Sequence, residues 1–227
     1  MAYVKNTMID ALLSMVAPHL CSGCGQIGST FCDNCKYNIS EEPFTGCILC
    51  QKPQTFGICM DHNSSYNQAF VVGERRGALQ RLIGGYKFQN MKATSVALAE
   101  LLDTRLPQLS SNTVLVPIPT SPAHIRERGY DHMLLIAKQL ARLRKLPVRR
   151  LLVRDNTLTQ HHANRKDRLE QAKSAYRVQG ALDSTLTYML VDDVVTTGAT
   201  IEQAAFQLRQ AGAEHILVAA IARQPLD

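Results

Sequence analysis

TYMLVDDVVTTGAT, residues 187–200, decides the fold. Its apolar start, residues 188–191, reads as a strand that ends in two adjacent carboxylates, Asp192 and Asp193. A turn with Thr196, Thr197, Gly198 and Thr200 follows, and residues 201–211 read as a helix closed by Gly212. Ligands of open α/β sheets bind beyond the carboxyl ends of strands. A helix N-terminus there offers free N–H groups and a favourable dipole to an anion. Gly198 allows close backbone approach, and the threonines add hydroxyl donors. The turn therefore suits a phosphate, and the two acids before it can accept from a vicinal diol. Phosphate and diol together describe a ribose 5-phosphate. A plain helix cap by Asp193 or Thr197 would explain one residue. It would not explain two exposed acids beside three threonines and a glycine.

Outward from that stretch, strand and helix patterns alternate. Residues 69–72, 114–116, 148–153 and 216–221 read as strands. Residues 78–83, 95–102 and 133–143 read as helices, the first two separated by Gly84 and Gly85. Such alternation argues for an α/β domain, a parallel sheet flanked by helices. We assign it residues 67–227, behind an N-terminal part of residues 1–66.

That N-terminal part contains all seven cysteines, in pairs with two-residue gaps: Cys21 and Cys24, Cys32 and Cys35, Cys47 and Cys50, then Cys59 with His62. A tight turn can aim both ligands of such a pair at one ion, and four ligands complete a tetrahedral zinc site. The alternative is a disulfide framework, which an odd cysteine count and strained short-range pairing oppose. The pattern predicts a small structural zinc module with one or two ions, paired sequentially or interleaved. Phe31, Tyr37 and Phe44 stand between the pairs as a candidate small core. Ahead of them, Val4, Met8, Leu12, Met15 and Val16 recur at helical spacing. This reads as a short amphipathic helix rather than an export signal.

The 227 residues are 45% hydrophobic and 19% charged, which suits a packed core and excludes a disordered or fibrous chain. No apolar run approaches the roughly 18 residues that span a bilayer, and the expected location is cytoplasmic. Net charge is +6, but residues 126–177 hold 14 Lys and Arg against 5 Asp and Glu, so the rest is net negative. That basic segment reads either as an anion site or as solvated helix faces, Arg142, Arg144 and Lys145 suiting the latter.

The 187–200 stretch resembles the 5-phosphoribosyl-1-pyrophosphate (PRPP) signature of type I phosphoribosyltransferases. More widely, the paired ligands, LIGGYKFQN, VPIPTSPAHIRERGYDH, TQHHANRKDR and the 187–200 stretch resemble the ComF family, with its ComFC- and GntX-like proteins. The resemblance implies a type I phosphoribosyltransferase-like sheet that takes PRPP with Mg²⁺. It implies PRPP contacts from Lys87, Pro119, Thr120, Asp192, Asp193, Val194, Val195, Thr196, Thr197, Gly198, Ala199 and Thr200. Asp192 and Asp193 would take the ribose hydroxyls, and Arg126 and Arg128 would join them in catalysis on the pyrophosphate side. Paired arginines offer bidentate contacts to phosphate oxygens. Lys87 reads equally as an exposed strand-end lysine.

Two departures stand out. Where the family has Asn-Gln, this chain has Asp131 and His132, and a carboxylate there either points away or helps to hold Mg²⁺. Arg154, Thr159, Gln160, Asn164, Arg165 and Arg168 would lie in a covering loop with His161 and His162, while Gln171, Ala175 and Tyr176 depart mildly from the pattern. The resemblance implies a glycosyltransferase-class enzyme whose acceptor the sequence does not name. It equally allows a competence factor that binds single-stranded DNA in DNA uptake, or a nucleotide sensor that reuses the pocket.

Overall fold

A computed structural model describes residues 18–54, 56–89, 91–154 and 176–226. The helical pattern of residues 4–16 and most of the expected covering loop lie outside them. In chain order the elements are α1 (Asp33–Glu41), β1 (Gln68–Glu74), α2 (Gly77–Phe88), α3 (Thr94–Arg105), β2 (Thr113–Pro117), α4 (Pro122–Arg128), α5 (His132–Arg144), β3 (Leu152–Arg154), β4 (Tyr176–Val178), β5 (Thr187–Val195), α6 (Ala199–Gln210) and β6 (His215–Arg223). Four strands form one parallel sheet in the order β1-β6-β5-β2, and β3 and β4 form an antiparallel pair. The fold is thus α/β, a parallel sheet flanked by helices. No helix among the described residues is long and apolar enough to cross a membrane.

Side chains alternate across a strand, so β5 feeds two cores. Met189 and Val191 pack with α2, α3 and α5. Tyr188 and Leu190 pack with α6, β3 and β4 on the other face. The cysteine segments join these cores. Cys21 and Phe31 belong to the first, and Phe44, Ile48 and Tyr66 to the second. Tyr37, expected in a small separate core, is 64% exposed.

Several expected boundaries shift. Residues 78–83 do not end at the glycine pair, because α2 runs unbroken through Gly84 and Gly85 to Phe88. A Cβ on Gly85 would stand 2.9 Å from Met91 Sδ, so close packing outweighs the poor helix propensity of glycine. Residues 148–153 are not one strand. Val148 makes a single bridge to Leu115, and only residues 152–154 continue as β3. Finally, β5 does not stop at Val191 but runs through both aspartates to Val195.

Candidate functional site

The site grows from the uneven ends of three strands. β2 pairs with β5 only as far as Pro117 opposite Val191, while β5 continues beside β6 to Val195 opposite Arg223. Asp192 and Asp193 therefore stand where β2 has turned away. They are not the exposed strand-end acids expected from the sequence, since they are 8% and 6% exposed. The pleat sends them to opposite faces.

Asp193 faces α2 and α5, and both of its oxygens are occupied. Oδ1 is 2.8 Å from Lys87 Nζ, and Oδ2 is 2.7 Å from His132 Nε2. Burial alone would raise its pKa, but the His132 hydrogen bond and the Lys87 charge outweigh burial and hold it well below the usual carboxylate range. Lys87 is thus no exposed strand-end lysine. It lies in the last turn of α2 and reaches the site because that helix continues past its glycines.

Asp192 has no ion pair among the described residues. Its Oδ1 accepts from Asp193 N–H at 2.9 Å. Burial first, and then the charge of Asp193, push it up to about 8. The neighbouring acids are thus driven apart, one ionised and one protonated at neutral pH.

His132 has a place that the sequence did not suggest. Its Nδ1 lies 3.0 Å from Arg128 Nη1 and 3.1 Å from Thr120 Oγ1. Arginine can only donate, so Nδ1 accepts, and Nε2 carries the hydrogen given to Asp193. Asp131 is engaged within the chain. It caps α5 by accepting from Leu134 N–H at 3.1 Å and also takes the Thr120 hydroxyl at 2.9 Å. Arg128 thus turns inward to His132 and lies over the Phe88 ring, 5.7 Å from its centroid, whereas Arg126 is exposed. Pro119 and Thr120 follow β2, and Thr120 is buried. No Asn-Gln precedent could have revealed this tie. A histidine directly before an apolar helix was its only trace in the sequence.

Beyond Asp193, Val194 and Val195 finish the strand, and residues 196–198 turn into α6. Thr196, Thr197, Ala199 and Thr200 are exposed, while Gly198 is buried at φ 80° as the N-cap. A left-handed residue with no Cβ is needed there, since a Cβ would stand 2.2 Å from Leu49 Cδ2. The loop thus leaves Thr196, Thr197 and Thr200 exposed at the start of α6, and Thr197 Oγ1 accepts from the Ala199 N–H at 3.3 Å, which leaves its O–H free to donate; hydroxyls at a helix N-terminus suit an oxyanion. On the Asp192 side stands Tyr176, whose ring lies under Arg154 at 5.9 Å. Burial raises the pKa of its phenol.

The ligand pairs form two separate groups in sequential order: Cys21, Cys24, Cys32 and Cys35, then Cys47, Cys50, Cys59 and His62. Within each group the ligand atoms lie within 4.8 Å of one another. Cys24 and Cys32 sulfurs are 3.7 Å apart, as are those of Cys50 and Cys59. Disulfide sulfurs would be about 2.05 Å apart. Two thiolates at about 2.3 Å from one tetrahedral zinc stand about 3.8 Å apart. His62 Nε2 is buried without a hydrogen-bond partner among the described residues, as suits a nitrogen kept for a metal. Both groups fit a structural metal, and their soft donors are consistent with zinc. Arg81 of α2 fastens the first group by donating to Ser22 and Gly23 carbonyls, both at 2.8 Å.

No family model matches the chain. Competence protein F of Haemophilus influenzae is 31% identical over 206 residues, 85% of this chain and 90% of that protein. The chain belongs to the ComF family. Competence protein ComFC of Streptococcus pneumoniae is 26% identical over 90% of the chain and 87% of its own length. DNA utilization protein YhgH of Salmonella typhi is 30% identical over 74% and 77%. A solved structure of the allosteric regulatory enzyme of purine biosynthesis aligns with 17% identity and a TM-score of 0.42, over 56% of this chain and 25% of its own. These likenesses span most of this chain and most of each relative.

Proposed function

We propose that this ComF protein binds PRPP, or another ribose 5-phosphate, in the crevice between Asp192 and Thr200. Residues 67–227 supply the pocket, and residues 1–66 hold two structural zinc ions. The observation that carries the reading is the outward-facing loop at the start of α6, directly after two acids at the end of a central parallel strand. Thr196, Thr197, Thr200 and the N–H groups of the first turn of α6 hold the 5-phosphate, Thr197 donating its O–H while it accepts from Ala199 N–H. Asp192 takes the ribose diol, and Asp193, fixed by Lys87 and His132, shapes the floor. Lys87, Pro119 and Thr120 border the pyrophosphate, with Arg128 and Arg126 beside them on α4. Mg²⁺ takes one or two carboxylates plus substrate phosphates, and Asp192 would be such a carboxylate once metal binding displaced its proton. When bound it would neutralise pyrophosphate charge. The chain's own groups would position the sugar and stabilise the leaving group electrostatically. A protein with unpaired thiols and this ligand works in the cytoplasm. Incubation with PRPP, Mg²⁺ and a panel of nitrogenous acceptors tests turnover. Pyrophosphate release with one acceptor identifies a transferase, whereas binding without release identifies a sensor.

The relatives' names, competence protein and DNA utilization protein, favour a second reading, a role in handling DNA, which we take to be single-stranded. The basic excess of residues 126–177 supports it, with Arg149 and Arg150 exposed. Affinity for an oligonucleotide should then fall with salt, with a slope of about 0.7 per phosphate neutralised. No binding at low salt would remove this reading.

A further inference from the structure

We propose that the second metal group positions the threonine-glycine loop through Leu49 and Arg223, so that zinc at Cys47, Cys50, Cys59 and His62 and a ribose 5-phosphate at residues 196–200 stabilise each other. The proposal rests on the ligand reading above.

Both ends of the metal group grip the loop and its helix. At the first end, Leu49 stands between Cys47 and Cys50 and packs on the bare Cα of Gly198, where a Cβ would stand 2.2 Å from it. At the second end, Ser65 lies three residues after His62. Its N–H donates to Glu202 Oε1 at 2.9 Å and its hydroxyl to the same oxygen at 2.5 Å. Glu202 is in the first turn of α6. A change in the metal turn therefore reaches both the residue that bends the loop and the turn that presents its N–H groups.

Arg223, the last residue of β6, joins these parts from beneath. It is 1% exposed. Its Nε donates to Ile48 O at 2.6 Å, Nη2 to Leu49 O at 3.2 Å and Nη1 to Val195 O at 3.3 Å. One guanidinium thus holds both the turn between two metal ligands and the residue just before the loop. Carbonyls alone do not balance a buried charge. Three thiolates, a neutral imidazole and Zn²⁺ sum to −1, which complements the single positive charge beside it. Loss of the metal would free the turn, remove the charge balance and leave Gly198 without its wall.

Linkage is reciprocal, so the ligand must raise zinc affinity by the same factor by which zinc raises ligand affinity. The direct test titrates the full zinc-loaded chain to equilibrium with a competing chromogenic chelator, with and without saturating ribose 5-phosphate. The expected result is two zinc-release transitions, with one moved by ligand to roughly 5-fold tighter zinc affinity or more. That protected transition should persist in a Cys21→Ser/Cys24→Ser chain, which retains only the second group. Leu49→Ala should keep the zinc, lose the protection and weaken ribose 5-phosphate binding in calorimetry. The wild-type comparison needs no variant, so a misfolded Leu49→Ala leaves the test intact. Calorimetric binding of ribose 5-phosphate with unchanged zinc release overturns the linkage alone. No binding to the zinc-loaded wild type overturns both the linkage and the ligand reading beneath it.

Discussion

Asp192 and Asp193 are chemically identical neighbours with opposite fates. Their difference comes from the pleat, which turns Asp193 to two side-chain partners, Lys87 and His132, and leaves Asp192 with the Asp193 N–H and no ion pair among the described residues. An unfolded aspartate ionises near pH 4. Asp192 in the fold keeps its proton to about 8. Its raised pKa means that stability is fully present below about 4 and is lost as pH rises toward 8. Asp192→Asn cannot ionise, so it should melt above wild type at pH 8, and the gap should close as pH falls to 4. Melting curves across that range check this, and a gap independent of pH would contradict it. Asp193→Asn is a poor probe of ligand binding. Asp193 balances Lys87 inside the protein, and its loss leaves that largely buried cation unpaired.

At the scale of elements, the position of the main strands and of most helices follows from hydrophobic periodicity, since β1, β2, β5, β6, α5 and α6 all fall on patterns visible in the chain, whereas the strand order β1-β6-β5-β2 does not. The misread places are those where packing overrules local preference. Gly84 and Gly85 looked like a break, but α2 keeps them and so delivers Lys87 to Asp193. Arg144 looked like part of a solvated face. It instead ion-pairs with Asp103 and donates to the carbonyls of Leu106 at 3.0 Å and Pro107 at 2.9 Å, closing the C-terminal end of α3. Free carbonyls at a helix end need such donors. Arg144→Ala should therefore cost about 1–2 kcal/mol, read by urea denaturation. No loss of stability would mean that water caps α3 equally well. Partners that meet only through tertiary packing, such as Arg128 with His132 or Leu49 with Gly198, left no periodic signal to read.

For the whole molecule, the cysteine pairs predict metal ligation from spacing, but spacing leaves the grouping of the pairs open and does not reveal that their segments complete the cores of the sheet. Metal-binding energy in small modules is folding energy. Because Phe31 and Ile48 are shared with the sheet, chelation should lower the melting temperature of the entire chain. Near-ultraviolet and far-ultraviolet signals should shift together. A sheet that melts unchanged after metal removal would show that the two parts are independent. The central claim is that residues 192–200 form a ribose 5-phosphate pocket, and the most direct measurement is calorimetric titration with PRPP and Mg²⁺. Thr197→Val removes one hydroxyl from an exposed position of the loop with little change in volume. Hydrogen bonds to charged groups contribute about 1.5–3 kcal/mol, so affinity should fall about tenfold or more. Saturable binding by wild type and that loss in Thr197→Val is the predicted result. Equal affinities, or no heat of binding from the zinc-loaded wild type, would contradict it.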